Sequence, residues 1–323
     1  MTIWVHITAY QDRDALARVL QHVEAQSRTP DSLRIADNSP QLLPLPPLSS
    51  TTEHLHFPAN IGTAGTINDT LRASRDAKID YLWLLDQDSR PAPSLLQALL
   101  DAHASLLITE SPLIGIVAPL TRNRDDAHPN RPLRFDRYRT RPVPYDKLPV
   151  VCDFLPASGM LLHLPSLKNL KPPSTLYFLD LYDFALGLAV QKSGASVWMI
   201  PSLELSHQIG RKIIRYTPAG PRVFTDSPPF RVHLLHRNTT YLFTRSARGH
   251  YRILAAAWQL RHAILHARCF LQYGFDQGWA KAFAALNGWL FGLIQLRPRS
   301  QQDDKKGPSF GTSEPLSSPT RSS

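Results

Sequence analysis

Residues Tyr81-Leu82-Trp83-Leu84-Leu85 form an unbroken run of bulky apolar side chains that stops at Asp86-Gln87-Asp88. Side chains alternate sides along a strand, and here neither set is polar, so the run reads as a strand buried on both faces. Two carboxylates follow where that strand leaves the core. In open α/β sheets, ligands bind at the carboxyl ends of the strands. On an extended backbone Asp86 and Asp88 point to the same side. Two hard oxygen ligands suit a divalent ion such as Mg²⁺ or Mn²⁺, and Mg²⁺ commonly shares its shell with substrate phosphates. A polar turn whose Asp caps a helix beginning near Pro93 accounts for the same residues.

The pattern around this run alternates strand and helix. Strands are expected at residues 3–8, 32–36, 54–57, 81–85, 114–119, 150–154, 159–163 and 195–200. Helical spacing occupies residues 12–25, where Leu16, Val19, Leu20 and Val23 recur, and residues 63–77, 93–103 and 181–192. The alternation argues a mostly parallel sheet flanked by helices. Residues 40–50 are a Pro-rich loop, and residues 122–145, basic and Pro-containing, read as an irregular, mobile excursion. Past about residue 220 the character changes. Residues 251–296 are helical throughout, with Leu254, Trp258, Ile264, Leu265 and Phe270, then Trp279, Phe283, Leu286, Leu290 and Leu293. Arg252, Arg261, Arg268 and Lys281 interrupt the apolar pattern. Such helices either pack as a pair on the main domain or lie amphipathically on a membrane, and the arginines with Trp279 and Trp289 tilt the reading toward the membrane. The expected division is a sheet domain at 1–220, a helical region at 221–297 and a disordered tail at 298–323.

Charge and cysteine content narrow the partners. The formal net charge is +10, from 36 Lys+Arg against 26 Asp+Glu, which favours anionic partners. Nucleic acid is the weakest of these, since no aromatic-basic interleaving or recognised module is present. Cys152 and Cys269 alone provide neither a zinc spacing nor a disulfide framework, so a reducing compartment is expected. The N-terminus lacks a basic n-region and a cleavage site, and no run of eighteen apolar residues occurs. The expected location is cytoplasmic, with peripheral contact to the inner face of the plasma membrane.

Four further segments bear on chemistry. Asp37-Asn38-Ser39 ends a strand and offers either a carboxylate for a base or ribose, or an Asx-turn. The segment Asn60-Ile61-Gly62-Thr63-Ala64-Gly65-Thr66-Ile67-Asn68 opens a helix, where glycines allow close backbone approach and free N–H groups favour an anion. It fits neither a Walker loop nor a dinucleotide fingerprint. Asp180 and Asp183 share a face at a helix start, as general base or as caps. His207 follows a strand and completes a metal site if it faces Asp88.

In this order the segments resemble the family 2 glycosyltransferases of GT-A fold, most closely the bacterial rhamnosyltransferase-like members. The resemblance spans roughly residues 3–245 and includes His207-x-x-Gly210 and Arg237-Asn238-Thr239. It implies a Rossmann-like mostly parallel sheet with C-terminal amphipathic helices. It also implies that Asp37 contacts the nucleotide base, that Asn60, Gly62 and Asn68 shape the donor site, and that Asp86 lies by ribose and metal. Asp88 and His207 would ligate the metal on the donor diphosphate, and Asp183 would be the catalytic base. The implied reaction is inverting transfer of a sugar, with dTDP-rhamnose as donor, to a cell-surface polysaccharide or a lipid-linked glycan.

The chain departs from the family pattern twice. Gln11 follows Tyr10 where relatives often have an aromatic-Asn pair. Ala185 and Ala189 stand where relatives carry an acid and an arginine, with Lys192 or Arg211 as electrostatic substitutes. These alanines motivate the alternative of a catalytically impaired nucleotide-sugar-binding or assembly subunit.

Overall fold

The computed structural model describes residues 1–48, 51–109, 113–123, 129–207, 211–217 and 220–295. The disordered tail expected at 298–323 and part of the 122–145 excursion lie outside these residues. The first half alternates strands and helices in chain order: β1 (Ile3–Ala9), α1 (Arg13–Glu24), β2 (Ser32–Asp37), β3 (Thr52–His56), α2 (Gly62–Asp76), β4 (Tyr81–Asp86), β5 (Arg90–Pro91), α3 (Leu95–Thr109) and β6 (Ile114–Asn123). Then follow β7 (Leu133–Asp136), β8 (Arg139–Pro142), β9 (Val150–Cys152), β10 (Leu161–His163), α4 (Tyr182–Lys192), β11 (Ser196–His207), β12 (Arg211–Thr217) and β13 (Gly220–Asp226). Three helices close the described chain: α5 (Pro229–Ser246), α6 (Tyr251–Gln272) and α7 (Gly278–Ile294).

The main sheet runs β3-β2-β1-β4-β10-β6-β11-β5, with β9 also on β11. Pairs β1–β2, β1–β4, β2–β3 and β6–β11 are parallel, while β10, β9 and β5 run antiparallel to their neighbours. The expected mostly parallel sheet flanked by helices is therefore present. Its centre follows from the period-2 rule. Leu82 and Leu84 face one core with Ile67 and Leu71 of α2, and Trp83 and Leu85 face another with Leu16, Val19 and Leu99 of α1 and α3. Both faces of β4 are thus covered, which is why its sequence is apolar without alternation.

The 122–145 excursion is not irregular over its described part. Residues 133–136 and 139–142 form an antiparallel hairpin. Its tip is anchored to α6: Tyr138 stacks on Tyr251 at 6.2 Å between centroids, and the Arg139 guanidinium sits 5.3 Å above the Trp258 ring. Local sequence gave no apolar period because these contacts are aromatic and cationic. A second hairpin, β12–β13, has no counterpart among the expected elements and puts residues up to Asp226 in a strand, while α5 lies within the 221–297 region read as helical.

The C-terminal helices pack on one another and on the sheet domain. Leu242, Phe243, Ala247 and Ala255 belong to the same core as α2 and α4. Helix α7 reaches α5 through small residues: Ala282, Ala285 and Gly288 are buried. A Cβ on Gly288 would lie 2.4 Å from the His233 carbonyl oxygen, so only glycine permits this approach. Lys281 is buried rather than facing outward, with its Nζ 2.6 Å from Asp226 Oδ1 at the end of β13. No helix among the described residues is long and apolar enough to cross a membrane.

Candidate active site

Asp86, Asp88 and His207 meet at the carboxyl edge of the sheet. The turn after β4 is closed by Ser89 N–H donating to the Asp86 carbonyl at 3.0 Å. The turn is fixed on its other flank by Gln87, whose Oε1 accepts from Tyr10 N–H at 2.7 Å and whose Nε2 donates to the Tyr10 carbonyl at 3.1 Å. Gln87 is therefore a clamp to the end of β1, and the flanking acids are left to face the other way. The chain then enters β5, which pairs antiparallel with the end of β11, Ser206 opposite Arg90. That pairing delivers His207 to the acids. Its Nδ1 lies 3.0 Å from Asp88 Oδ1 and its Nε2 lies 3.7 Å from Asp86 Oδ2. One ligand atom from each residue falls within 4.8 Å of the others. Two carboxylates and an imidazole are a donor set that fits Mg²⁺ or Mn²⁺. Burial pushes the Asp86 carboxyl up, and His207 partly opposes this.

Asp183 sits in the first turn of α4, close enough to Asp86 and Asp180 for their charges to raise its pKa. Burial is the larger cause, and together they raise it to about 7. The segment leading to it is contorted. Phe178 has φ +55° and Leu181 has φ +68°, a region that bulky residues rarely enter. Such strain persists only where surrounding contacts over-determine it. Here Asn238 of α5 donates to the carbonyls of Tyr177 at 2.8 Å and Asp180 at 2.7 Å, and Arg237 donates to that of Leu176. From the other side the Phe178 carbonyl accepts from Ala64 N–H at 2.9 Å. Gly62, at φ +70°, is required there, because a Cβ would come within 2.4 Å of the same carbonyl oxygen. The Gly-Asn loop and the Arg237-Asn238 pair thus share one task, holding the Asp180–Asp183 segment. This corrects the expectation of an open anion site on α2: Ala64 N–H is taken by Phe178, and Gly62 N–H by Asn60 Oδ1 at 3.0 Å.

The remaining expected residues are bracing in this structure. Asp37 is fully buried, and its two oxygens accept from Ser39 N–H at 2.9 Å and Leu43 N–H at 2.7 Å. It builds the Asx-turn, one of its two expected roles. Asn68 donates to the Pro173 carbonyl at 2.8 Å and accepts from the Tyr182 hydroxyl at 2.6 Å, tying α2 to the start of α4. Gln11 takes φ +54° and donates its N–H to Ser39 Oγ at 2.7 Å, interlocking the first two strand-end loops.

Lys192 does not stand in for the missing arginine. It lies nine residues beyond Asp183, about 13 Å along the helix, and lines a separate cleft of about 510 Å³ with Ala185, Ala189, Lys171 and Arg245. The Arg211 side chain and Gly210 of the His207-x-x-Gly210 motif lie outside the described residues. The cation that does approach is Arg231 of α5. Its Nη2 is 3.2 Å from Asp180 Oδ1, and its charge reaches Asp86. Sequence reading missed Arg231, Ser158 and the clamp role of Gln87. Ser158 Oγ pairs with Ser89 Oγ behind the acidic turn. No short motif marks any of them, because each is defined by a long-range partner.

The fold is shared with known proteins. No family model matches the chain. Its sequence is 34% identical over 115 residues to the galactofuranosyltransferase GlfT1 of Mycolicibacterium smegmatis, a match covering 33% of this chain and 37% of that protein. The structure superposes on S. aureus TarS with a TM-score of 0.53 at 11% identity, covering 91% of this chain and 49% of that one. Against TarS 1-349 in complex with UDP-GlcNAc the TM-score is 0.50 at 12% identity, covering 90% and 81%. This chain therefore has the GT-A-like architecture expected from its motifs. It spans about half the length of TarS and just over a third of GlfT1.

Proposed function

We propose that the chain is a metal-dependent, inverting family 2 glycosyltransferase. The observation that carries this reading is the convergence of Asp86, Asp88 and His207 within 4.8 Å, with Asp183 adjacent at a pKa raised to about 7. Asp88 and His207 would hold the ion, with Asp86 between it and the donor ribose. A divalent ion bound there supplies positive charge that neutralises a leaving diphosphate. Asp183 accepts the proton of the acceptor hydroxyl, whose oxygen attacks the anomeric carbon opposite the departing nucleotide, so configuration inverts. The loops held by Asp37, Asn60, Gly62 and Asn68 form the wall for base and ribose.

A nucleoside-diphosphate sugar is the donor class, supported by the UDP-GlcNAc bound to TarS 1-349. Within that class the motif set favours dTDP-rhamnose, and the acceptor is a cell-surface polysaccharide or its lipid-linked precursor. The C-terminal helices α5–α7 seat the enzyme peripherally on the inner face of the plasma membrane. Its support is α7, whose outward side chains are apolar: Trp279 is 79% exposed, Phe283 69% and Ile294 53%. Arg252, Arg261 and Arg268 are exposed on neighbouring α6, as an anionic lipid surface requires.

A donor panel with purified protein tests the transferase reading. Transfer or donor hydrolysis dependent on Mn²⁺ or Mg²⁺, and lost in Asp88→Asn, is expected. The second reading, a binding or assembly subunit, draws on Ala185 and Ala189, and its signature is donor affinity with no turnover.

A further inference from the structure

A cavity of about 590 Å³ opens between the β12–β13 hairpin, α5 and α6. That volume falls in the range of about 300–1,000 Å³ typical of small-molecule sites. Its lining combines two chemistries. One part is aromatic: Phe224, Phe270 and Phe275, with Phe275 edge-on to Phe224 at 5.5 Å and to Phe270 at 5.1 Å. Another part is the ion pair of Asp180 and Arg231. Asp180 is three residues before Asp183 on the same strained segment. Its Oδ1 accepts from Arg231, while its Oδ2 is buried without a hydrogen-bond partner. A buried carboxylate oxygen left unpaired costs free energy unless a ligand donor completes it. The cavity therefore shares Asp180 with the strained segment that carries Asp183, and three phenylalanines line it as well.

We propose that this cavity is the acceptor subsite, and that it takes an amphiphilic acceptor: a saccharide joined to an apolar chain, of the polyprenyl- or alkyl-linked type. The saccharide hydroxyls meet Asp180 and Arg231 beside Asp183, and the first apolar carbons of the aglycone occupy the aromatic part. This selects the lipid-linked glycan over a free polysaccharide as the substrate. Calling the ligand an acceptor rests on the transferase reading; the cavity's preference for an apolar chain does not.

Two measurements on the full chain separate these claims. In the first, farnesyl phosphate and octyl glucoside below its micelle concentration are titrated by calorimetry, with inorganic phosphate and methyl glucoside as controls. The tailed ligands are expected to bind, and Leu235→Trp, which fills the cavity, to weaken them at least tenfold. Val223→Trp, on the exposed hairpin at the cavity wall, is a second variant that leaves the core untouched, and the same loss is expected. Leu286→Glu on the outer face of α7 should leave this binding unchanged. Binding kept in both Trp variants and lost in Leu286→Glu would overturn the cavity assignment and place the chain on the helix surface. In the second, transfer to octyl and methyl glycosides is compared. A KM at least tenfold lower for the octyl acceptor is expected, with the difference erased in Val223→Trp while donor hydrolysis is unchanged. Equal KM values would overturn the proposal and leave the transferase reading standing. Tailed-ligand binding without transfer to any acceptor would overturn the acceptor role and the transferase reading together, while the apolar cavity stood.

Discussion

Strand β4 and helix α7 are both rich in large apolar residues and use them in opposite ways. In β4, Leu82, Trp83, Leu84 and Leu85 are each no more than 1% exposed, and the polar residues come only where the strand ends. In α7 the buried positions are Lys281, Ala282, Ala284, Ala285, Gly288 and Gly292, and the large residues Trp279, Phe283, Leu286 and Leu290 point outward. Packing alone explains β4. It does not explain α7, whose small side fits against α5 and whose large residues Trp279, Phe283, Leu286 and Leu290 remain 40% or more exposed. The lesson is that hydrophobicity in β4 serves folding, while hydrophobicity in α7 is available for a surface. A stripe of this size on a surface is a mark of an interaction site.

The largest effect expected lies beside the β4 end. Asp183→Asn should lower transfer by about 10²–10⁴-fold, the usual worth of a general base, with donor affinity preserved. Transfer at the wild-type rate would reject Asp183 as base. The contrast between strand and helix is sharpened by one substitution made in both places. Leu84→Ala should cost about 2–5 kcal/mol in urea unfolding, as truncation in a close-packed core does. Leu286→Ala should change stability by no more than about 0.5 kcal/mol. A similar cost at both positions would mean that α7 is covered by something in the folded protein. Leu286→Glu should likewise fold normally but fail to sediment with vesicles containing phosphatidylglycerol, and unchanged sedimentation would remove α7 from the membrane contact.

A smaller effect is expected behind the site. Asn238→Ala leaves the Tyr177 and Asp180 carbonyls without their donor and should destabilise by about 1–3 kcal/mol. It should also lower transfer, since the strained segment then relaxes and Asp183 moves with it. Loss of stability with full activity would break the link between clamp and base.

The smallest effect is on pH. The Asp183 carboxyl is raised in the folded chain, so the folded state prefers it protonated. Its stabilising contribution is complete below the unfolded carboxylate range and is lost as pH climbs toward 7. Asp183→Asn should therefore melt roughly a few degrees above wild type at pH 8 and alike at pH 4. Transfer by wild type runs the other way and should fall as pH drops below 7, because the base must be ionised.

Much of this was legible in the chain itself. The strand run into Asp86-Gln87-Asp88 and the βα alternation rest on local patterns of type and spacing, while the pairing of His207 with Asp88 came only from the family resemblance, and each has its place in the fold. What stayed hidden depends on distant partners. The roles of Gln87, Arg231 and Asn238 exist only once β1, α5 and the 178–181 segment are adjacent. The 133–142 hairpin is stabilised by rings on α6, and its own sequence has no strand period. The burial of Lys281 against Asp226 likewise inverts what a lysine in an apolar stripe suggests, because its partner lies 55 residues away. In α7, sequence identified an apolar helix but left open which side was inside. The answer came from the alanines and glycines rather than from the large residues.

The central claim is that the end of β4 is a metal-dependent donor site. It is tested most directly by thermal unfolding with dTDP- and UDP-sugars, in the presence and absence of Mn²⁺, on wild type and Asp88→Asn. A ligand at about a hundred times its Kd stabilises by about 2.7 kcal/mol, which a melting curve resolves. The account expects a shift in wild type only when sugar nucleotide and metal are both present, and none in Asp88→Asn. An equal shift in both proteins, or one that survives a chelator unchanged, would contradict it.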